Sequence, residues 1–157
     1  MNTKIYSIFP ACGKTWLYEH QEDYDLRILD SDSSSFSWVY VNGARERNPS
    51  FPDNYIKHIK ENMGKYDCIF VSSHESVRNA LDEEGIKFTI VYPESRCKAE
   101  WIGRCFIREM NAESGCSAKV LYDNWEQWNS DCFMAGVDHE EIVLEPNKYL
   151  SDYIGRW

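Results

Sequence analysis

The stretch Ile5–Thr15, IYSIFPACGKT, decides how this chain is read. Ile5 to Phe9 is an apolar run that fits a buried strand, and Pro10 breaks it. Gly13-Lys14-Thr15 follows, and Trp16 to Gln21 is compatible with a helix. Strand, tight loop, Gly-Lys-Thr and helix together form the context in which a phosphate-binding loop works. The backbone N–H groups from Ala11, Cys12 and Gly13 to the helix start at Trp16 would present positive partial charge to an anion. Lys14 would reach the β- and γ-phosphates of ATP as a point charge, and Thr15 would offer its hydroxyl to Mg²⁺. The full pattern G-x-x-x-x-G-K-[ST] wants a first glycine at position 8, where Ile8 stands, and Pro10 falls inside the loop.

Composition limits what surrounds this loop. The 157 residues suffice for one domain spanning 1–157, with a sizeable core. A hydrophobic fraction of 43% and an aromatic fraction of 15% indicate a folded, globular chain. The formal net charge of -9 and sequence pI of about 4.9 argue against an extended nucleic-acid partner, which calls for a basic footprint. No stretch is long and apolar enough to span a bilayer, and the start lacks a signal-type pattern, so a cytoplasmic protein is expected. None of the six cysteines shows C-x-x-C spacing, which gives a zinc site only weak support. Cys68 reads as core, and Cys12 falls in the loop.

Outward from the loop, strands and helices alternate. Asp25–Asp30 reads as a second strand, followed by a serine-rich run. Val39–Val41 is a short extended piece before an Asn42-Gly43 turn, and Ala44–Pro49 reads as polar and irregular. A helix begins near Pro52-Asp53, carries the stripe Tyr55, Ile56, Ile59 and Met63, and stops at Gly64. Tyr66–Val71 is the best-formed strand. A helix over Glu75–Glu84 follows, ending at Gly85. Lys87–Tyr92 is a strand closed by Pro93. Helices over Lys98–Met110 and Lys119–Cys132, a last strand at Glu141–Leu144 and a turn over Tyr149–Ile154 complete the chain. The near-continuous apolar strands predict a buried, parallel sheet of about five strands with helices on both faces, an α/β three-layer fold.

With Gly13-Lys14-Thr15, the strand end at Asp30 to Asp32 and a basic helix after the fourth core strand, the chain resembles the P-loop kinases of the adenylate kinase type. It is similar, too, to the small nucleotide-kinase-like proteins that phages encode, whose place would be the host cytoplasm. The resemblance implies a P-loop NTPase-like sheet in which the strand Tyr66–Val71 lies beside the first. It implies an active site at the C-terminal strand ends, an acceptor-binding insertion at about 31–52 and a lid-like region at about 94–116. The cofactors would be ATP and Mg²⁺, the second substrate a nucleotide or nucleoside.

Phosphoryl transfer needs positioning and charge stabilisation more than covalent help. In the lid-like region the resemblance makes Arg96, Arg104 and Arg108 candidate clamps on ATP and on the transferring group. Arg104 and Arg108 share a helix face, and the plain alternative is that Glu100, Arg104 and Arg108 pair along one solvated edge. Asp30 or Asp32 would act on a hydroxyl acceptor, whereas a phosphate acceptor is already ionised and needs no base. Both residues would otherwise cap the next turn. Ser34, Phe36, Trp38, Arg45 and Arg47 would meet the acceptor through stacking and charge, or simply pack a loop. His74 is a candidate acceptor contact whose plain reading is a helix cap. No acid ends the strand Tyr66–Val71, where Walker B would put one. Asp67 is at the wrong end, which leaves Ser72, or Asp30 through water, to assist Mg²⁺. The readings are a nucleoside monophosphate kinase, a kinase of a hydroxyl acceptor (nucleoside, nucleic-acid end or modified base), and a nucleotide-binding or interaction protein that kept the fold without turnover.

Overall fold

The computed structural model describes residues 2–154. Its centre is a five-stranded, all-parallel sheet built from β1 (Lys4–Ile8), β2 (Ile28–Asp30), β5 (Cys68–Ser72), β6 (Thr89–Pro93) and β7 (Glu140–Leu144), in the order β2-β5-β1-β6-β7. β1 sits in the middle, with Ile5 opposite Ile69 on one side and Ser7 opposite Ile90 on the other. Ile5, Ile8, Ile69, Phe70, Val71, Ile90 and Val91 are all buried, which is why these strands read as unbroken apolar runs. One neighbour of β1 is the strand at Cys68–Ser72, the position the resemblance gives the strand Tyr66–Val71.

The connections are α1 (Lys14–Glu19), α3 (Asp53–Asn62), α4 (Glu75–Glu83), α5 (Lys98–Met110) and α6 (Ala118–Ala135), with a one-turn α2 at Ser34–Ser37. The chain moves one way across the sheet from β1 to β2 and the other way in every later crossover. The right-handed rule for such crossovers puts α1 on one face and the later helices on the other, which fits a three-layer arrangement. α3 presents Tyr55, Ile56 and Ile59 to the core, and α6 presents Leu121, Trp125 and Cys132. Phe9, at the end of β1, meets Trp125 edge-on at 5.5 Å.

Several boundaries move from the sequence reading. β2 starts at Ile28, because Gln21–Tyr24 forms a 3-10 turn closed by Asp25 in the left-handed region at φ 52°. The first helix is correspondingly short, Lys14–Glu19. Ala44–Arg47, read as irregular, is a strand, β4, paired antiparallel with β3 (Trp38–Val41). Three of its four residues are charged and all four are exposed, so no apolar period marks it. Asn42 at φ 51° and Gly43 at φ 80° make the two-residue turn that both strands need, since a type I′ hairpin demands positive φ at both positions. α6 runs past Cys132 to Ala135, and Ser117 Oγ caps its start by accepting from the Val120 N–H at 3.1 Å. No helix among the described residues is long and apolar enough to cross a membrane.

Candidate functional site

The loop from Phe9 to Gly13 leaves the C-terminal end of the central strand and turns straight into α1. Ala11 at φ 62° and Gly13 at φ 88° both adopt left-handed backbone. The loop's carbonyls are held. Ala11 O accepts from Arg104 Nη1 at 2.9 Å, and Cys12 O accepts from the Leu150 N–H at 2.8 Å. Its N–H groups at Ala11, Cys12 and Gly13 donate to nothing among the described residues. A short run of unpaired amides with alternating hand is the backbone arrangement that cradles an anion.

Lys14 opens α1 and extends to the end of β2, where its Nζ donates to Asp30 Oδ1 at 3.0 Å. Both side chains are partly exposed, at 34% and 20%. Thr15 follows in the same turn, and its hydroxyl has no hydrogen bond among the described residues. Trp16 is nearly half exposed and stacks on His20 with ring centres 4.0 Å apart. Cys12 is buried, and burial pushes its thiol up to about 12 against the opposing pull of Trp101 and Arg104.

Arg104 belongs to this loop. Besides Ala11 O it donates to Glu100 Oε2 and to Lys148 O, each at 2.7 Å. Its guanidinium lies 3.7 Å from the Trp101 ring centre and 4.0 Å from that of Tyr149. Glu100 in turn accepts from the Asn147 N–H at 2.8 Å through Oε1. Residues 147–150 therefore form a strap across the loop, with Tyr149 pressed against Gly13. The strap could not be read from sequence. Its residues carry no period, and their partners lie in α5 and the loop.

The other candidates sit elsewhere. Arg96 is exposed and pairs with Glu94. Arg108 donates to Cys105 Sγ at 3.3 Å and Cys116 O at 3.4 Å, and its guanidinium packs on Gly115. Asp32 Oδ1 accepts from the Ser34 N–H at 2.9 Å, a local turn contact. Phe36 packs against Tyr55 and His58, with ring centres at 5.2 and 4.7 Å. Arg45 and Arg47 both lie over Trp38, 4.0 and 4.1 Å from the ring centre, which makes the hairpin a self-stacked unit. His74 precedes α4. Burial, then the charges of Arg47 and Arg78, hold its imidazole below its ordinary pKa, with Asp32 opposing.

Two buried hydroxyls at the strand tops lack partners among the described residues. Ser31 Oγ and Ser72 Oγ are buried and unpaired, while Tyr55 Oη donates to Ser31 O at 2.7 Å. The position where Walker B would place an acid is therefore occupied by an unpaired hydroxyl. Arg78, on α4, was missed by sequence reasoning. It falls on the same helix stripe as Val77 and Leu81 and is buried with them, and a charged residue on an apolar stripe was the signal. No family model matches this chain, and no curated protein matches it either.

Proposed function

We propose that the chain is an ATP-dependent phosphotransferase of the P-loop kinase type acting on a nucleotide, in its simplest form a (deoxy)nucleoside monophosphate. One observation carries this reading: the amides of Ala11, Cys12 and Gly13 have no partner among the described residues, in the loop that joins the central strand to Lys14. Free N–H groups on a loop whose carbonyls are tied back fit the phosphates of ATP, and Lys14 would neutralise them. The Thr15 hydroxyl and the unpaired Ser72 hydroxyl are the groups that would face Mg²⁺ or its water. The metal would supply charge neutralisation on the transferring phosphate. The chain itself would hold the donor and align the acceptor near Asp30.

A second reading rests on the Lys14–Asp30 pair. A carboxylate 3.0 Å from the phosphate-binding ammonium is suitably placed to take a proton from a hydroxyl acceptor. The experiment is incubation with ATP and Mg²⁺ against panels of nucleosides and nucleoside monophosphates, followed by separation of products. Phosphorylated monophosphate supports the first reading, and product from nucleosides alone supports the second. No product, together with calorimetry that detects no ATP or ADP binding, overturns both and leaves an interaction protein.

A further inference from the structure

Away from the loop, a cavity of about 140 Å³ opens between the start of α4 and the middle of α6. That is far more than the ~10–15 Å³ one water requires. Ser73, His74, Glu75, Arg78, Trp128 and Asp131 line it. Arg78 is only 7% exposed. Its Nε donates to Ser73 O at 3.1 Å, and its two terminal nitrogens have no partner among the described residues. Neither Asp131 nor Glu75 forms an ion pair with it, and Asp131 accepts instead from Gln127 at 2.8 Å.

A buried guanidinium cannot shed its charge, because arginine stays protonated at any ordinary pH. Burying such a charge without a hydrogen-bonded counter-charge is costly. The protein supplies one carbonyl and leaves the rest of the planar fork facing a space. A planar fork whose terminal edge is free matches an oxyanion in geometry as well as in charge. α4 adds to this, since His74 gives its first turn no side-chain cap. Asp131 and Glu75 oppose an anion from the rim, so affinity should be modest, roughly millimolar for a bare ion.

We propose that this cavity is an oxyanion site, in which the free edge of Arg78 binds a phosphate or carboxylate group beside the Trp128 ring. The site shares no lining residue with the Phe9–Gly13 loop, but His74, a candidate acceptor contact of the phosphotransferase reading, lines it, and Lys14→Ala is the variant that tells the two apart.

The test follows the indole N–H signal of Trp128 by NMR, assigned through Trp128→Phe, at constant ionic strength with chloride as control. Inorganic phosphate, acetate and thymidine monophosphate are the probes. A saturable shift with phosphate or acetate is expected, absent with chloride. It should vanish in Arg78→Met, persist in Lys14→Ala, and reach half-saturation at a several-fold lower concentration in Asp131→Asn. A nucleotide acting well below the concentration of inorganic phosphate assigns the phosphate of a larger molecule. Equal response to acetate and phosphate assigns a plain oxyanion pocket, and both results uphold the proposal. It is overturned if no probe shifts the signal in the unaltered protein, if Arg78→Met still responds, or if Lys14→Ala abolishes the response. Should Arg78→Met fail to fold, Asp131→Asn decides, and an unchanged midpoint there overturns the proposal.

Discussion

Arg104 donates to the carbonyl of Ala11 at 2.9 Å, across 93 positions of sequence. This contact fixes the loop from behind. The same guanidinium ties down Lys148 O and Glu100 while lying against Trp101 and Tyr149. Its side chain is only 11% exposed, so its removal would leave the part-buried Ala11 carbonyl and Glu100 carboxylate without that partner. Arg104→Ala is expected to cost about 2–4 kcal/mol in urea unfolding. Arg104→Lys should recover less than half of that, because an ammonium cannot present a planar fork to three acceptors. A lysine variant as stable as the parent would contradict this account.

Lys14 carries a different expectation. Its pair with Asp30 is partly solvated, and such pairs contribute about 0–1 kcal/mol. Lys14→Ala should therefore leave the urea midpoint nearly unchanged. Under the kinase reading, the same variant should lose roughly 10²- to 10³-fold in turnover, the scale of removing one donor to developing charge. Parallel assays of unfolding and phosphoryl transfer separate the two. Large destabilisation with intact turnover would refute the assignment of Lys14 to the donor phosphates.

Gly13 has two independent reasons to be glycine. Its φ of 88° costs an L-residue roughly 1–2 kcal/mol. A Cβ there would also come within 3.0 Å of Tyr149 Cδ1. Gly13→Ala should lower stability by about 1–3 kcal/mol. Pairing it with Tyr149→Ala relieves the contact and leaves the backbone cost, so the two changes should be less than additive. Strict additivity in that cycle would show that the ring does not resist the added methyl.

Sheet and loop were legible because β1, β5 and β6 are buried on both faces, which forces continuous apolar runs that local reading detects. The Lys14–Asp30 contact was not foreseen, because it joins the start of α1 to the end of β2, which are 16 positions apart. The fates of Arg104 and Arg78 did not follow. Spacing put Arg104 and Arg108 on one helix face, and the Glu100–Arg104 pair of the plain alternative is present, but the further partners came from tertiary packing, Arg104 on the loop and strap and Arg108 on Cys116. The second hairpin strand escaped because Arg45 and Arg47 pack on Trp38 instead of on a core, so no hydrophobic period announces it.

The cysteines give a chemical reading of the packing. Five of the six are buried and all are free, and Cys116 is half-buried. Burial raises the Cys12 and Cys132 thiols to about 12 and those of Cys68 and Cys116 to about 11. Thiolate is the reactive form, so native protein at neutral pH should react slowly with an aromatic disulfide reagent. Cys116 should be labelled first, and all six should react once the chain is unfolded. Rapid native labelling of Cys12 would mean that the loop opens far more readily than its hydrogen bonds imply.

Two histidines should bend the stability profile in opposite directions. Burial pulls His139 down, but hydrogen bonds to Asp82 at 2.7 Å and to Ala135 O, with the charge of Asp82, outweigh it and raise its pKa. A raised pKa stabilises the fold below the ordinary value of about 6.5, and that contribution is lost as pH rises through the folded value. His74 is shifted the other way, by burial first and then by Arg47 and Arg78. Its neutral form is favoured in the fold, so its contribution is complete above about 6.5 and is lost as pH falls through the folded value. Urea unfolding from pH 5 to pH 8 should therefore show two separable limbs. His139→Gln should flatten the limb above about pH 6.5, and His74→Gln the limb below it. If His74→Gln instead steepened the acidic limb, the guanidiniums of Arg47 and Arg78 would not be acting on that imidazole.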